Sequence, residues 1–342
     1  MKAMVITGIV NLKETEKPLQ SVDLPEPVPH GNEILIRVRR CAVCHTDLDE
    51  IEGRTPPPRF PVVPGHQVVG EVAGMGKDAG RFREGVRVGV GWIYSACGKC
   101  PFCLNHRENL CESFTATGRD ANGGYAQYMK ASEQYAYPIP EVFTDSEAAP
   151  LLCAGAIGYR SLELSGLKDG QNLGLTGFGA SAHLVLMTVR HKYPGAKVFV
   201  FARSKKEREF AAELGADWAG DTEDKSPEKL HCIIDTTPVW KPVVEGLANL
   251  ERGGRLVINA IRKEDGDRDY LAKLDYPSHL WMEKEIKSVA NVSRRDISEF
   301  LKIAAEIPVK PEVQEYPLHE ANSALMELKQ RKIRGAKVLR IE

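Results

Sequence analysis

Residues 172–182 read NLGLTGFGASA, and the order of residue types in this stretch decides the fold of the second half of the chain. A short apolar run leads into Gly177-x-Gly179-x-x-Ala182 and then into a helix-like segment. Gly177 permits a tight turn, Gly179 lets the backbone approach a pyrophosphate, and the small Ala182 lets helix and strand pack closely. The unpaired N–H groups at the start of the helix attract phosphates. The stretch therefore predicts a dinucleotide-binding loop between a strand and a helix.

Short apolar strands alternate with helix-length segments around this loop, from about residue 151 to residue 290. Such alternation predicts βαβ units, so we assign residues 151–290 to an α/β Rossmann domain with a doubly wound parallel sheet. The apolar run Ser288–Val292 predicts a further strand. The other predicted segments are strands Asn172–Thr176, Lys197–Phe201, Cys232–Asp235 and Arg255–Ala260, and helices from Ala180 and over Lys205–Leu214.

Residues 1–150 are rich in Pro, Gly and short β-like runs such as Ile34–Val38 and Val68–Val72, which turn signals such as PEPVPHG and GRDANGG separate. This pattern predicts an irregular, β-rich domain. The tail from residue 291 holds two predicted helices, Asp296–Ala305 and Glu320–Lys329, and the strand-like AKVLRIE. We expect this tail to pack on the first domain, so that residues 1–150 and 291–342 form one domain.

The chain has 342 residues, which is long enough for two domains with well-formed cores. Its formal net charge of -1 gives no electrostatic reason to expect nucleic acid or a membrane as a partner. No apolar run approaches the ~20 residues of a membrane span, and the start MKAMVITGIV lacks the pattern of a signal peptide. Its cysteines suit metal binding in a reducing compartment, so we expect a cytoplasmic protein.

The residues at the end of the second strand of the Rossmann domain determine which cofactor binds. NAD-binding proteins usually place an acidic residue there, which bonds the ribose 2′-hydroxyl. In this chain the strand KVFVF runs into Ala202, Arg203, Ser204 and Lys205, with no carboxylate at the tip. A hydroxyl and two cations suit a 2′-phosphate, so the residues favour NADP over NAD. The alternative is that Arg203 and Lys205 are solvated residues at the start of a helix.

Four cysteines stand close together in CGKCPFCLNHRENLC, with the spacing C-x2-C-x2-C-x7-C. Tight turns of this kind bring several thiolates to one point, as a tetrahedral metal requires. Softness and charge favour Zn2+, and four thiolates leave no open position, so we predict a structural zinc site. The alternative is a set of buried thiols or a disulfide framework. The predicted ligands are Cys97, Cys100, Cys103 and Cys111.

Three other residues are candidates for a second, open metal site: Cys44 in CAVCHTD, His66 in PGHQVVG and Cys153 in PLLCAG. Two thiolates and one imidazole leave a fourth position for water or substrate, which is a recognised arrangement for catalytic zinc. Each residue alone would more often be a buried cysteine or a structural histidine. Spacing in the sequence does not link the three.

The motifs CHTD, GHxxxG, CGKCxxC, NGGYAQY, LLCAG and GFGASA, in this order and spacing, resemble those of the zinc-dependent medium-chain alcohol dehydrogenases. The similarity covers essentially the whole chain, including the ending IRGAKVL. It implies a GroES-like catalytic domain, a catalytic zinc held by Cys44, His66 and Cys153, and a structural zinc at the clustered cysteines. The other implied roles are proton relay for Thr46, orientation of His66 for Asp47, contact with the cofactor pyrophosphate for His45, and a wall of the substrate pocket for Trp92.

Three positions depart from the family pattern. Gln67 follows the zinc histidine where the family usually has Glu, so the site is one charge more positive and no carboxylate can approach the metal there. Asp49 stands where members with longer proton relays often carry His. Ala336 follows Gly335 where many members have an Arg that contacts the pyrophosphate, so phosphate anchoring would depend on backbone N–H groups, His45 or Lys337.

The resemblance implies an NAD(P)-dependent enzyme that interconverts small alcohols with aldehydes or ketones, and that forms a homo-oligomer, either a dimer or a tetramer. Zinc would polarise the substrate oxygen, Thr46 would remove the proton and the nicotinamide would take the hydride. Two alternatives stay open. A zinc-independent quinone or enoyl reductase would keep its activity after chelation, and a non-enzymatic zinc-ribbon protein would bind about one zinc per chain rather than about two.

Overall fold

The computed structural model of the chain describes residues 1–307, 310–330 and 335–342, and it divides into two compact units. The first unit consists of Met1–Cys153 and Val292–Glu342, and the second consists of Ala154–Asn291. Two residues of the C-terminal motif IRGAKVL, Ile333 and Arg334, lie outside the described residues.

In chain order, the strands of the described residues are β1 (Lys2–Ile6), β2 (Leu19–Asp23), β3 (Glu33–Ala42), β4 (Val68–Met75), β5 (Arg87–Val90), β6 (Ile93–Ser95), β7 (Thr115–Ala116), β8 (Tyr128–Ser132), β9 (Ala136–Pro138), β10 (Asn172–Thr176), β11 (Lys197–Phe201), β12 (Trp218–Gly220), β13 (Leu230–Asp235), β14 (Leu250–Ile258), β15 (Glu285–Ser288), β16 (Val313–Pro317) and β17 (Ala336–Arg340). The helices are α1 (His45–Ile51), α2 (Pro101–Leu104), α3 (Asp145–Pro150), α4 (Ala156–Ser165), α5 (Ala180–Lys192), α6 (Lys205–Glu213), α7 (Lys241–Asn249), α8 (Arg294–Glu306) and α9 (Ala321–Lys329). Short helical turns lie at Glu108–Leu110, Glu133–Tyr135, Leu151–Gly155, Arg268–Lys273, Tyr276–Leu280 and Leu318–Glu320. Among the helices described, none combines the length and the apolar character that crossing a bilayer requires.

The second unit is built on a six-stranded parallel sheet with the strand order β12–β11–β10–β13–β14–β15. β10 lies inside this sheet, and all five of its residues are buried. A parallel strand that is covered on both faces is usually a continuous run of apolar residues. This explains why apolar and polar residues do not alternate in NLGLT. Leu173 and Leu175 of β10 share a core with Val198 and Val200 of β11. The predicted Rossmann sheet in the second half of the chain is confirmed.

The last strand of this sheet differs from the prediction. The run Ser288–Val292 predicts a strand, but β15 spans Glu285–Ser288, and all four of its residues are exposed. Val289 and Val292 are buried after the strand has ended, and Asn291 has a left-handed backbone with φ of 58°. Val289 and Val292 are therefore apolar because the segment that leaves the sheet is buried, and not because they belong to a paired strand.

The first unit contains a sheet in the order β16–β17–β3–β4–β5–β9, in which β8 also pairs with β3. β3 is ten residues long and runs antiparallel to β4, β8 and β17. Because β17 belongs to the C-terminal tail, β3 joins the two ends of the chain in one sheet. Its pairing with β17 continues to Ala42, two residues before Cys44. The expected β-rich character of the first part of the chain is confirmed.

Lys337 in β17 is fully buried, with 0% of its surface exposed. Its ammonium donates to Gln314 Oε1 at 3.0 Å and to the Tyr316 hydroxyl at 2.6 Å, and it pairs with the carboxylate of Glu327 at 2.5 Å. Because these partners engage the ammonium, the expectation that Lys337 could anchor a cofactor phosphate is wrong. Its carbonyl accepts the N–H of Val43 at 2.9 Å, so this residue instead fastens the chain just before Cys44.

Candidate active site and metal centres

Cys44, His66 and Cys153 come together in the first unit, with their potential ligand atoms all within 4.8 Å of one another. Cys44 caps the start of α1, His66 lies in the loop before β4, and Cys153 lies in the helical turn Leu151–Gly155. His66 is buried, with 1% of its surface exposed, and the two cysteines are half-buried. Three segments that are distant in sequence thus bring two thiols and an imidazole to one point. This is a donor set that suits zinc.

A buried carboxylate orients the imidazole of His66. Asp47 Oδ1 lies 3.4 Å from His66 Nδ1, and Asp47 Oδ2 accepts the N–H of Cys44 at 2.8 Å and the hydroxyl of Tyr125 at 3.0 Å. Since Asp47 faces Nδ1, Nε2 is the nitrogen left for a metal, and it is buried with no hydrogen-bond partner among the described residues. A carboxylate behind a ligating histidine fixes its tautomer and its ring orientation. The residues therefore fit a zinc ion.

Two glycine-containing segments hold His66 and Tyr125 in place. Gly65 has a φ of +95°, and a Cβ on it would lie 2.3 Å from the Tyr125 ring, so only glycine permits this approach. The N–H of Gly124 donates to the Gly65 carbonyl at 2.9 Å, and the N–H of Tyr125 donates to the Pro64 carbonyl at 3.0 Å. The motifs PGHQVVG and NGGYAQY are therefore two halves of one support for His66.

The three candidate ligands influence one another's pKa. A hydrogen bond with Cys153 is the largest cause that lowers the pKa of Cys44 well below its ordinary value, and the same bond, together with burial, raises the pKa of Cys153. Burial opposes protonation of His66, but its contacts with Asp47 and Cys44 raise its pKa well above the ordinary value. The shifts thus favour the thiolate form of Cys44 and the protonated forms of Cys153 and His66. Metal binding must displace these protons, so we expect metal affinity to rise with pH.

The other predicted catalytic residues lie on α1. Thr46 is nearly buried, and its Oγ1 lies 3.6 Å from Cys44 Sγ. His45, the first residue of α1, is exposed. Asp49 forms an ion pair with Arg54. The carboxylate of Asp49 is therefore already engaged at the position where longer proton relays carry a histidine.

Two further residues that the sequence singles out are both buried. Gln67 donates from Nε2 to the carbonyl of Ala42 at 3.5 Å, so its amide is turned towards the main chain of β3. Trp92 packs against Phe114 with the ring centroids 4.9 Å apart. Gln67 thus contributes no charge next to His66, and Trp92 forms part of an aromatic pair.

The second cluster consists of four cysteines whose sulfur atoms lie within 4.8 Å of one another. Backbone N–H groups point at these sulfurs: that of Cys100 lies 3.3 Å from Cys97 Sγ, and that of Cys103 lies 3.5 Å from Cys100 Sγ. Gly98 supplies the left-handed turn between them, with a φ of 71°. Hydrogen bonds of this kind stabilise ligating thiolates. The cluster, which Cys111 completes, fits a tetrahedral structural zinc.

The ionisation of this second cluster is uneven. Backbone N–H groups of Lys99 and Cys100 lower the pKa of Cys97 to about 6. Burial, followed by a hydrogen bond with Cys100, raises the pKa of Cys103 to about 12. The lowered pKa of Cys97 therefore favours its thiolate near neutral pH, whereas the raised pKa of Cys103 favours its thiol until a metal cation binds.

Gly177, Gly179 and Ala182 lie where β10 passes into α5, in the second unit. Gly177 has a φ of +75°, and a Cβ on it would lie 2.9 Å from Thr237 Cγ2, so the turn excludes a side chain. Gly179 caps α5, and a Cβ there would meet no described atom within 4 Å. Packing therefore does not require glycine at position 179, and the open space at the helix start fits a bound pyrophosphate. Ala182 is fully buried.

The polar residues predicted to choose the cofactor lie together just after β11. Ala202 is buried, Arg203 is exposed, and Ser204 lies between Arg203 and the exposed Lys205. Lys205 forms a solvent-exposed ion pair with Glu209 at 3.6 Å, which a bound anion can easily replace. One hydroxyl and two exposed cations thus lie at this tip.

Two residues near this tip could not be found from the sequence. Asp221 follows β12, and the pairing of Phe201 with Gly220 places Asp221 level with Ala202. Arg208 donates to the carbonyl of Ala202 at 2.7 Å and pairs with Asp221 at 3.2 Å. The neighbouring strand thus supplies a carboxylate close to the tip, and Arg208 offsets its charge. Only the pairing of β11 with β12 reveals this arrangement.

A buried ion pair lies at the carboxyl ends of the central strands of the second unit. The side chains of Lys263 and Asp235 are 7% and 0% exposed. Asp235 Oδ1 accepts the hydroxyls of Thr176 at 2.6 Å and Thr237 at 2.8 Å, and Lys263 donates to the Thr237 carbonyl at 2.8 Å. This network supports the loop on which Gly177 packs. Lys263 belongs to the charged run RKEDGDR, which on sequence alone suggests an exposed loop.

Comparison with known proteins identifies the family to which these sites belong. Residues 30–141 match the alcohol dehydrogenase GroES-like domain. The chain is also 41% identical over 329 residues to the probable alcohol dehydrogenase AdhA of Mycobacterium tuberculosis, a match that covers 95% of this chain and 93% of that protein. A likeness of this extent, on a fold with these two cysteine-containing clusters, shows that the chain belongs to the zinc-type medium-chain alcohol dehydrogenases. It is therefore an oxidoreductase, and the expected family is confirmed.

Two solved structures share the fold. One is an NAD-dependent alcohol dehydrogenase, with a TM-score of 0.88, 23% identity and coverage of 100% of both chains. The other is CAD from Helicobacter pylori complexed with NADP(H), with a TM-score of 0.86, 21% identity and coverage of 99% of this chain and 97% of that chain. The comparisons favour neither the zinc-independent reductase nor the zinc-ribbon protein.

Replacement of Cys103 by serine tests the four-cysteine cluster. We expect the variant to lose about one equivalent of metal per chain and its melting temperature to fall by roughly 8–16 °C, because loss of a structural metal removes folding free energy. Metal analysis and thermal unfolding measure the two effects. Cys232→Ser, at a buried cysteine outside both clusters, should keep the metal content of the wild type. A metal-free Cys103→Ser protein with unchanged stability would contradict the assignment.

Proposed function

We propose that this alcohol dehydrogenase holds a catalytic zinc at Cys44, His66 and Cys153 and a structural zinc at Cys97, Cys100, Cys103 and Cys111. The observation that carries the proposal is the convergence of both donor sets within 4.8 Å. The first set offers three donors and the second offers four, so only the first leaves a coordination position for a substrate. The buried, unpartnered Nε2 of His66 supports the same assignment.

Zinc in the three-donor site would act as a Lewis acid towards the alcohol oxygen, and NAD(P) would accept the hydride. Thr46, whose hydroxyl lies beside Cys44, would relay the proton of the substrate hydroxyl to solvent, accepting it while giving up its own hydroxyl proton. Asp47 keeps the ring of His66 fixed, so that Nε2 stays directed at the metal position. His45 is exposed at the start of α1 and is available to a cofactor phosphate. The products are an aldehyde or ketone, and the reverse reaction is carbonyl reduction.

His66→Ala tests the catalytic assignment. Loss of a zinc ligand removes several kcal/mol of transition-state stabilisation, so kcat should fall roughly a thousandfold or more. Cofactor affinity, measured by titration, should change little, because Gly177 and Gly179 lie in the other unit. Asp47→Asn should lower metal affinity or activity by about 10–100-fold.

The matched control is His319→Ala, at a histidine with 77% of its side chain exposed. It should keep wild-type activity and metal content. If His66→Ala turns over alcohol at a rate near that of the wild type, the catalytic zinc is not at this site.

We infer that NADP is preferred over NAD. Arg203, Ser204 and Lys205 offer a hydroxyl and two cations at the tip of β11, where a 2′-phosphate would need them. Asp221, the nearby carboxylate, is paired with Arg208 and therefore opposes the phosphate less than a free acid would. Solved structures with this fold include an NAD-dependent enzyme and one complexed with NADP(H). The fold therefore accommodates both cofactors, and the residues of this chain determine which is preferred.

Arg203→Ala should weaken NADP binding by about ten- to a hundredfold and NAD binding much less, because one charge-assisted hydrogen bond to the 2′-phosphate is lost. Cofactor titration and kcat/KM with each cofactor measure the difference. Lys206→Ala, at the exposed neighbour of Lys205, is the control and should affect both cofactors alike. A wild-type kcat/KM that clearly favours NAD would refute the NADP preference without affecting the dehydrogenase assignment.

We also propose that the chain forms a homo-oligomer through the open edge of the six-stranded sheet. β15 is the edge strand of this sheet, and all of its residues are exposed. Tyr276, Trp281, Met282 and Ile286 expose apolar surface on and just before this strand, with Trp281 55% exposed. An unpaired edge with apolar side chains is a surface that monomeric proteins usually protect. A second copy that pairs its own edge strand with β15 would cover the unpaired backbone groups and the exposed apolar side chains.

Ile286→Lys should shift the oligomer towards the monomer, because a lysine on an edge strand opposes strand pairing between copies. Light scattering coupled to size-exclusion chromatography measures the mass. Ile261→Lys is the control, since Ile261 is similarly exposed but lies outside the edge strand. An unchanged mass for Ile286→Lys, with the wild type oligomeric, would place the interface elsewhere.

We propose a cytoplasmic location as well. Cys41, Cys44, Cys97, Cys100, Cys103, Cys111, Cys153 and Cys232 are all free of disulfides. Two clusters that need thiolates are best kept reduced where thiol reductants are present.

A further inference from the structure

Glu50 is a buried acid that the chemistry described so far does not use. It lies on α1 with 0% of its surface exposed, and neither carboxyl oxygen has a hydrogen-bond partner among the described residues. A buried polar group without a partner destabilises the folded state, and native structures contain few of them. Such a group therefore calls for a partner that the described residues do not supply.

The position of Glu50 on α1 places it towards the candidate zinc site. Thr46 and Asp47 precede it by four and three residues, so all three side chains share one face of the helix. The charges that act on its carboxyl include those of Cys44 and His66. Glu50 thus lies one helical turn beyond Thr46, the predicted proton relay, and the charges of two candidate metal ligands act on its carboxyl.

Trp92 carries a second polar atom of this kind. Its indole Nε1 is buried and without a hydrogen-bond partner in the part of the chain that the structure describes. The guanidinium of Arg119 lies 5.6 Å from the Trp92 ring centroid, and its charge also acts on Glu50. Arg119 donates a hydrogen bond to Asp120 at 2.7 Å, which holds its guanidinium in place. The charge of Arg119 thus acts on the carboxyl of Glu50 and lies beside the ring of Trp92, and neither of these two polar groups has a hydrogen-bond partner among the described residues.

We propose that Glu50 and Trp92 bind a second hydroxyl group of the substrate, so that the enzyme prefers vicinal diols and polyols to simple alkanols. This proposal rests on the proposed function of the site formed by Cys44, His66 and Cys153. A hydroxyl both donates and accepts, so a single hydroxyl can satisfy the carboxyl of Glu50 and the N–H of Trp92. An alkyl group in the same place would leave both of them unpaired, and such sites discriminate strongly against the analogue that lacks the hydroxyl.

The charge state of Glu50 favours a neutral partner. Burial and the negative charge of Asp47 raise the pKa of Glu50 well above its ordinary value, although His66 and Arg119 oppose this. The raised pKa favours the protonated carboxyl, which can donate as well as accept. A protonated carboxyl offers an ammonium group no negative charge. A hydroxylated substrate is therefore favoured over an amino alcohol.

The test measures kcat/KM of the wild type with glycerol and n-propanol, with ethylene glycol and ethanol, and with ethanolamine. We expect the polyol of each pair to be preferred, and ethanolamine to be used less well than ethylene glycol. Glu50→Leu and Trp92→Phe should each lower the polyol-to-alkanol ratio by about ten- to a hundredfold, because a buried hydrogen bond is lost. Glu50→Gln keeps a donor and an acceptor, so it should retain more of the ratio than Glu50→Leu.

Glu52→Gln is the matched control, because Glu52 follows α1 but is bonded to Arg54 and Lys329; its ratio should equal that of the wild type. Melting temperatures establish that each variant is folded, and Trp92→Phe gives an independent reading if Glu50→Leu does not fold. A wild type that prefers the alkanols or ethanolamine, or a ratio unchanged in both Glu50→Leu and Trp92→Phe, would overturn the proposal. If the proposed function is itself wrong, the wild type shows no zinc-dependent turnover of the alkanols either. That outcome is distinguishable from the results above, in which the alkanols are still oxidised.

Discussion

The buried carboxylate of Asp47 is the group on which the rest of the first unit's site depends. It is fully buried, accepts hydrogen bonds from Cys44 N–H and the Tyr125 hydroxyl, and faces His66 Nδ1. A buried carboxylate that loses such partners costs several kcal/mol, so each partner is strongly held in place. One side chain thereby fixes the start of α1, the loop that carries His66 and the segment that carries Tyr125.

The sheet explains why these segments meet. β3 and β4 are antiparallel, with Cys41 opposite Val68, so Cys44 beyond the end of β3 and His66 before the start of β4 leave the sheet side by side. One backbone hydrogen bond continues this contact, because Ala42 N–H donates to the Gln67 carbonyl at 3.0 Å. Val43 N–H donates to the Lys337 carbonyl of β17 at 2.9 Å and fastens the other side of the same segment. The donor pair of Cys44 and His66 is therefore a consequence of strand register.

This dependence on register explains which features the sequence could predict. The dinucleotide loop from Gly177 to Ala182 and the cluster from Cys97 to Cys111 are local patterns, since a single turn or loop positions every group in them. Asp221 reaches the tip of β11 only through pairing with β12, and the apparent surface residues Lys263 and Lys337 are buried against partners from distant segments. Composition and spacing do not reveal which distant segments these residues contact. The link between Cys44, His66 and Cys153 likewise required the family resemblance.

Charge balance connects Gln67, which departs from the family pattern, with the buried acid Glu50. Cys44 and Cys153 as thiolates, together with Asp47, would carry three negative charges around the metal position, of which a divalent cation would offset two. A further ionised carboxylate in the same buried volume would be costly. Gln67 avoids this cost because its amide is neutral and directed at the carbonyl of Ala42, and the raised pKa of Glu50 favours the neutral form of its carboxyl. The polar groups that surround this metal position can therefore act as hydrogen-bonding groups without adding to its negative charge.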